Sequence, residues 1–365
     1  MSRKVPIIQF GLGGVGRALL RQIIEKREYI AQRNDLEIEI VALLDSSGGI
    51  WAPSGLDEQV LRQALAAKSE ELSLQDLPSG RSKIDDAALV TRVAVAGVKQ
   101  AVVVDVTADP GLQEALLAAR RHNYSLVLSN KYPLSSALKT FRRLASGGGL
   151  RYEATVGAGL PVIATLQYLL DSGDEVTSVA GSISGTLGLI CTRLQEEVPF
   201  SQALAEARQL GYTEPDPRQD LRGMDVARKL VILARTLGWK VELADVEVEG
   251  LYPSNMDNLS LEEFMGTVSA LDDSFALRAA EARDKGCVLR YLGELRDGRC
   301  RVGLKEVPAQ GHLGALRGSD SLFLFHSTRY ADRPLVISGP GAGVEVTAAA
   351  VLADIIDVAR ISGQS

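Results

Sequence analysis

Residues 5–16 read VPIIQFGLGGVG: an apolar run, then glycines at 11, 13 and 16, then RALLRQIIEKREYIAQ at helical spacing and a second apolar run, IEIVALL, that ends at Asp45. Strand, glycine turn, helix, strand is a βαβ unit. In that setting each glycine has a mechanical task. Gly11 permits the tight turn, Gly13 lets backbone come close to a pyrophosphate, and Gly16 allows the helix to pack against the strand. The helix N-terminus supplies partial positive charge. The pattern predicts a dinucleotide site built from Gly11, Gly13, Gly14, Val15 and Gly16. Asp45 closes the second strand, where an acid accepts from the ribose hydroxyls, and this favours NAD. Its distance from the glycines exceeds the usual ~20 residues because helix and loop are long. Residues 46–50, SSGGI, bring no Arg or Lys to meet a 2′-phosphate; a distant basic residue folding into reach keeps NADP open.

Outward from this unit, AVVVDVT (101–107) and YSLVLSN (124–130) are short apolar runs separated by GLQEALLAARRHN at helical spacing, which extends a parallel sheet. The pattern changes near residue 154. TSVAGSISGTLGLICTRLQ reads as strand, small-residue turn and helix. A helix over about 220–238 and another over 274–285 follow, with strands CVLRYLGEL and CRVGLKEV, an antiparallel sheet backed by helices. PLVISGPGAG then leads into a last helix. The expected organisation is α/β: a Rossmann-type parallel-sheet domain over 1–153, to which 337–365 returns, and a second α+β catalytic and dimerisation region over 154–336.

Composition excludes several functions. Of 365 residues, 46% are hydrophobic and 24% charged, with formal net charge −6 and no long basic run, so a nucleic-acid surface has little support. No apolar run reaches the ~20 residues that span a bilayer, and the N-terminus enters a strand with no room for a signal peptide. The expectation is a protein with no membrane or nucleic-acid partner, in the cytoplasm unless a targeting segment has been removed to leave it in an organelle. Cys191, Cys287 and Cys300 have no paired spacing, and His122, His312 and His326 have no ligand spacing, so disulfides and zinc are not indicated.

The densest chemistry lies in GYTEPDPRQDLRGMDVARK (211–229). Pro215 and Pro217 stiffen a loop bearing Glu214, Asp216 and Asp220, and Asp225 and Lys229 share a helical face four residues apart. An Asp–Lys pair at that spacing is commonly a surface pair worth a few tenths of a kcal/mol. Three carboxylates just upstream favour instead a pocket that grips an ammonium group and keeps a lysine ready to exchange a proton.

Together GLGGVG, SNKYP, YEATVGAGLPVI, GSISGTLG, GYTEPDPRQDLRGMDVARK and GPGAGVEVTAAAVLADI, in this order, resemble the homoserine dehydrogenases, which interconvert L-homoserine and L-aspartate 4-semialdehyde with NAD(P) in the aspartate-derived route to threonine, methionine and isoleucine. The length leaves room for neither a fused aspartokinase nor an appended regulatory module, so the likeness is to a monofunctional member. By this resemblance Lys229 exchanges the proton at the substrate oxygen and Lys131 sits beside it, also near the cofactor. It also implies that Glu214, Asp220, Asp225, Gly185, Thr186 and Tyr212 bind the amino-acid substrate, and that Thr107 and Gly343 add cofactor contacts. Glu153, Val156, Ala158 and Leu160 would hold a monovalent cation, Na+ or K+, and the protein would be a homodimer. Such roles suit the residue types: a lysine in a dry cleft or beside other cations gives up its proton more readily, and carbonyls with one carboxylate are hard ligands. One departure is that Gln219 stands where the family usually has an acid, which lowers the local negative charge. Two rivals remain: a silent NAD-binding sensor, and another amino-acid or semialdehyde dehydrogenase, for which Cys191 is the sole candidate thiol near the pocket.

Overall fold

The computed structural model describes residues 2–362 and divides into two compact units, one running through Gly159 and resuming at Gly343, the other Leu160–Ala342. The first unit is a seven-stranded sheet of β1 (Arg3–Phe10), β2 (Leu36–Leu44), β3 (Gly48–Trp51), β4 (Arg81–Ser82), β5 (Val102–Asp105), β6 (Ser125–Leu128) and β7 (Leu150–Arg151), in the order β4-β3-β2-β1-β5-β6-β7. From β2 to β7 every neighbour is parallel, and β3 and β4 add an antiparallel edge. Strands covered on both faces must be apolar along their whole length, and Ile7, Ile8, Val103, Val104, Leu126, Val127 and Leu128 are fully buried. The chain leaves β1 for β2 on one side and returns to β5 on the other. Ligands of open α/β sheets bind beyond the carboxyl ends of strands at such a reversal.

Helix Gly14–Glu25 follows β1, and the C-terminal helix Val344–Ser362 packs against it, with Arg21 and Gln22 bonded to the Glu345 carboxylate. The apolar periodicity reads as one helix to residue 32, but the structure breaks at Lys26 and starts a second helix, Arg27–Asn34. Only Ile30 of that second piece is buried, so no continuous core stripe holds the two in line.

The second unit carries a six-stranded sheet of β8 (Val176–Ser182), β9 (Glu247–Val248), β10 (Cys287–Arg296), β11 (Arg299–Pro308), β12 (Asp320–Ser327) and β13 (Leu335–Pro340), ordered β13-β12-β8-β10-β11-β9 and antiparallel except at β11–β9. Helices Gly185–Gln195, Met224–Thr236 and Asp272–Asp284 pack on it. Strand β12, DSLFLFHS, pairs with both β8 and β13, yet sequence reading passes over it. Residues Ser321–Phe325 are all buried, so the alternation that marks a half-exposed strand is missing. Within β10, Arg290 is 1% exposed and gives its guanidinium protons to the carbonyls of Leu289, Leu313, Gly314 and Leu316 and to Gln195 Oε1, which fixes the segment leading to β12.

The expected helix over 220–238 is two helices, Arg218–Leu221 and Met224–Thr236, separated by Gly223 at φ +73°. A Cβ there would lie 2.0 Å from the Tyr291 hydroxyl, which donates to the Glu249 carbonyl at 2.7 Å. Both the left-handed backbone and the close approach require glycine. Gly223→Ala is therefore expected to cost about 2–4 kcal/mol, seen as a lower urea midpoint with unchanged slope; an unchanged midpoint would contradict this account of the break.

Candidate active site

In the first unit the turn after β1 matches its glycines to their tasks. Gly11 has φ +104°, and a side chain there would strike the Val106 carbonyl and the Thr107 methyl. Gly16 lets the helix approach so closely that a Cβ would lie 2.2 Å from the Gly11 oxygen. A Cβ on Gly13 would meet nothing within 4 Å, which leaves space over the helix N-terminus. Gln9, fully buried, donates from Nε2 to the carbonyls of Gly11 and Gly16 and staples the turn from beneath.

Asp45 stands at the carboxyl end of β2 as anticipated, but its carboxylate is already engaged. Oδ1 accepts from the backbone of Ser47 and Gly48 and from the Ser47 hydroxyl, and Lys68 Nζ lies 2.9 Å from Oδ2. Burial works to raise the pKa of Asp45, yet the bonds from Ser47, Lys68 and Gly48 outweigh it and hold the group below its ordinary value. Lys68, on helix Glu58–Ser69, is a basic residue folded into reach of this strand end, and Arg17 bonds its carbonyl at 2.7 Å. No local signal marks Lys68, because the pairing joins positions far apart in sequence.

Beyond β5 and β6 lie Thr107 and Lys131. Thr107 bonds Asp105 through both its amide and its hydroxyl, and Asn130, which precedes Lys131, bonds the other carboxylate oxygen. Lys131 caps the short helix Tyr132–Ser135, and Ser135 donates to its carbonyl. Glu153, Val156 and Ala158 are buried in one loop; Ala158 takes a left-handed backbone, φ +54°, and Asp354 of the C-terminal helix accepts from the Glu153 amide at 2.9 Å. Among the described residues no cluster of three or more His, Cys, Asp or Glu could hold a metal ion, so a cation here would rest on one carboxylate and carbonyl oxygens. Leu160 belongs to the second unit, and Gly343, φ +138°, opens the return to the first.

In the second unit Lys229 is not a surface lysine. It is 9% exposed, and its ammonium reaches the Ile183 carbonyl at 2.7 Å and Asp225 Oδ2 at 3.0 Å. Asp225 keeps 46% of its side chain exposed, so this pair stands at a rim rather than in a closed core. Ile183 precedes helix Gly185–Gln195, which Ser184 caps by accepting from the Leu187 amide. Thr186, 4% exposed, has its hydroxyl 2.6 Å from the Tyr212 carbonyl and 3.1 Å from Asp220 Oδ1, and Asp220 Oδ2 accepts from the Glu214 amide. Thus Thr186, Tyr212, Glu214 and Asp220 form one network. Burial raises the Asp220 pKa above its usual value, and the nearby charges of Glu214 and Asp225 push in the same direction.

Asp216 departs from this group. It forms a forked pair with Arg218, which also bonds the Leu259 carbonyl and lies over the Phe264 ring; the bonds from Arg218 hold Asp216 below its usual pKa. It ties the loop down rather than contributing charge to Thr186 and Asp220. Gln219 is exposed. Ser319, which sequence reading passes over, donates to the Tyr212 hydroxyl at 3.3 Å and would be met by a Cβ on Gly185. Cys191 is fully buried, and burial pushes its pKa up to about 11, which removes the thiolate that a thioester mechanism requires. No helix among the described residues is long and apolar enough to cross a membrane.

Comparison with known proteins joins these observations. A family model for homoserine dehydrogenase matches residues 161–356. A homoserine dehydrogenase of Emericella nidulans is 34% identical over 379 residues, covering 98% of this chain and 99% of that protein. The bifunctional aspartokinase/homoserine dehydrogenase of Haemophilus influenzae is 36% identical over 361 residues, 97% of this chain, which spans 43% of that relative's length. A hyperthermophilic archaeal homoserine dehydrogenase solved in complex with NADPH superimposes with TM-score 0.74 at 25% identity, covering 98% of each chain. A shared order of motifs, a matching family model and a relative aligned over nearly its full length lead to one statement: the chain belongs to the homoserine dehydrogenase family.

Proposed function

We propose that this chain interconverts L-homoserine and L-aspartate 4-semialdehyde with a nicotinamide dinucleotide, and that Lys229 is the group that exchanges the proton. The observation that carries this reading is the setting of Lys229: an ammonium almost withdrawn from water that bonds the Ile183 carbonyl and the half-exposed Asp225 carboxylate. A lysine drawn out of water is costly to stability unless its charge is used, and Asp225, 46% exposed, carries the pair to the surface where a polar ligand arrives. Asp225, Asp220 and Glu214 supply the negative charge that an α-ammonium group needs, and Thr186 with the amide of Gly185 at the helix N-terminus offers donors for a carboxylate.

When bound, the nicotinamide ring supplies or takes up the hydride at the substrate carbon. Lys229 gives its proton to the carbonyl oxygen as that oxygen gains charge during reduction, and recovers it in the reverse direction. The family resemblance gives Lys131 a place beside that oxygen, and Asp225 orients Lys229 through its contact at 3.0 Å. Glu153, Val156, Ala158 and Leu160 are proposed to hold a monovalent cation that stiffens their loop. The working form is proposed to be a homodimer, supported by the family resemblance, in the cytoplasm, where Cys191, Cys287 and Cys300 stay reduced. A thioester route through Cys191 is not favoured, since that thiol has neither access nor an activating base.

For the cofactor, the strand end offers both kinds of partner. Asp45 favours a ribose with free hydroxyls, while Lys68 neutralises it and is a ready counter-charge for a 2′-phosphate.

Three outcomes test this reading. Wild-type protein is expected to oxidise NADH or NADPH when given aspartate 4-semialdehyde, and Lys229→Ala to lose about 100-fold or more of that turnover; absence of turnover in the wild type would favour the sensor alternative. In fluorescence titrations Lys68→Ala should weaken NADPH binding by about tenfold and NADH binding far less, with Asp45→Ala weakening NADH, since one charge-assisted bond is worth about 1.5 kcal/mol. Equal losses for both cofactors in both variants would remove these residues from the ribose site. Native protein treated with iodoacetamide at pH 8 should label Cys287 alone, with Cys191 and Cys300 reacting after denaturation, whereas rapid labelling of Cys191 would revive the thiol route.

A further inference from the structure

Asp105 is the one carboxylate at the carboxyl ends of the central parallel strands that neither the glycine turn nor the ribose reading uses. It ends β5, is 0% exposed, and its carboxylate is bonded by neutral donors. Oδ1 accepts from the Thr107 amide at 3.0 Å and the Thr107 hydroxyl at 2.7 Å, and Oδ2 accepts from Asn130 Nδ2 at 2.9 Å. Those partners sit on two different loops, the turn after β5 and the turn after β6. A third loop is locked to the first by packing, because Gly11 approaches the Val106 carbonyl and the Thr107 methyl so closely that no side chain would fit. One buried carboxylate therefore ties together the turns that follow β5 and β6, and the glycine turn after β1 packs against the first of them.

The orientation of Asn130 is fixed by its own bonds. Nδ2 faces the Asp105 carboxylate and the Asp109 carbonyl at 2.8 Å, while Oδ1 accepts from the Tyr132 amide at 3.0 Å, so turning the amide over would set oxygen against oxygen. Through the Tyr132 bond the arrangement sets the start of helix Tyr132–Ser135, and Lys131 is the residue between Asn130 and Tyr132. An aspartate at this place is costly for stability alone. Burial raises its pKa to about 6, and an apolar residue would fill a β-strand end without that penalty. None of its side-chain bonds goes to a strand; all go to loops bearing the proposed cofactor and catalytic residues.

We propose that Asp105 is a positioning residue that holds the Thr107 turn and the Asn130–Lys131 turn in one frame, so that cofactor contact and proton-side lysine are set by the same carboxylate. This rests on the function proposed above, because Lys131 and Thr107 take their roles from it. An amide cannot replace the carboxylate. With its oxygen toward Thr107 it presents an NH2 to the NH2 of Asn130, and with its oxygen toward Asn130 it presents an NH2 to the Thr107 amide.

The experiment compares wild type, Asp105→Asn, Asn130→Ala and the double variant by thermal melting, nicotinamide fluorescence titration with NADPH and NADH, and steady-state reduction of aspartate 4-semialdehyde. Asp105→Asn is expected to lower kcat at least tenfold and raise the cofactor Kd about three- to tenfold, with semialdehyde KM within threefold and a cooperative melt. That split separates misplacement in the first unit from general damage, which would move KM as well. Because both residues act through one bond, the double variant should lose less than the product of the single losses. A kcat and cofactor Kd within twofold of wild type in Asp105→Asn, or losses that multiply in the double variant, would overturn the proposal. Should Asp105→Asn fail to melt cooperatively, Asn130→Ala decides: a tenfold lower kcat at unchanged KM sustains the proposal, and wild-type kcat overturns it. If the wild type itself does not turn over the semialdehyde, the functional reading fails and the cofactor titration still judges Asp105, sustained by a raised Kd and overturned by an unchanged one.

Discussion

An ammonium group taken out of water must be held by other groups, and the second unit is arranged around that requirement at Lys229. The Ile183 carbonyl is available because β8 ends at Ser182 and the chain turns before the helix that Ser184 caps. Asp225 is available because the helix restarts at Met224, after Gly223 breaks it and resets its direction. Had the helix run unbroken through residues 220–238, the acids before Gly223 and the lysine after it would follow a single helical rotation. The break separates them, leaving Asp220 bonded to Thr186 and the Glu214 amide while Asp225 pairs with Lys229. The left-handed turn that only glycine takes beside Tyr291 thus serves the placement of charge.

The first unit follows a different logic, in which backbone rather than side chain does most of the work. The glycine turn leaves space above a helix N-terminus, and the turns after β5 and β6 are fixed by hydrogen bonds to a buried carboxylate, so the groups proposed to meet the cofactor are held by the fold itself. Preorganisation of this kind lowers the ordering cost of binding a long, flexible dinucleotide. At the end of β2, the proposed ribose end, Asp45 and Lys68 pair at 2.9 Å, which sets an acid and a base side by side. The chemistry of the pair thus explains why an acid at this position does not by itself settle the cofactor.

How much of this was legible in the sequence depended on the range of the interaction. The parallel core could be read because its strands are continuous apolar runs, and GLGGVG could be read because the three glycines act within a single turn. Lys229 and Asp225 could be paired by helical spacing, although spacing alone gives an ordinary surface pair; burial of the lysine is a tertiary fact. Lys68, Ser319 and Asn130 were missed as partners because each meets its target across a loop or from a distant element. Strand β12 was missed because burial along its whole middle erases the alternation that marks a strand, and the helix break at Gly223 because its cause, Tyr291, lies in β10. Asp216 shows the reverse error: grouped with its neighbours by proximity in sequence, it is claimed in the fold by Arg218.

If Lys229 exchanges a proton with the substrate oxygen, a small amine supplied from solution can stand in for its side chain. Lys229→Ala would be assayed for aspartate 4-semialdehyde reduction while methylamine or ethylamine is added at fixed pH and ionic strength. Turnover in the variant is expected to be very low, to rise with amine concentration and to saturate, with no such rise in the wild type. Turnover close to wild type in the variant without any amine would contradict it.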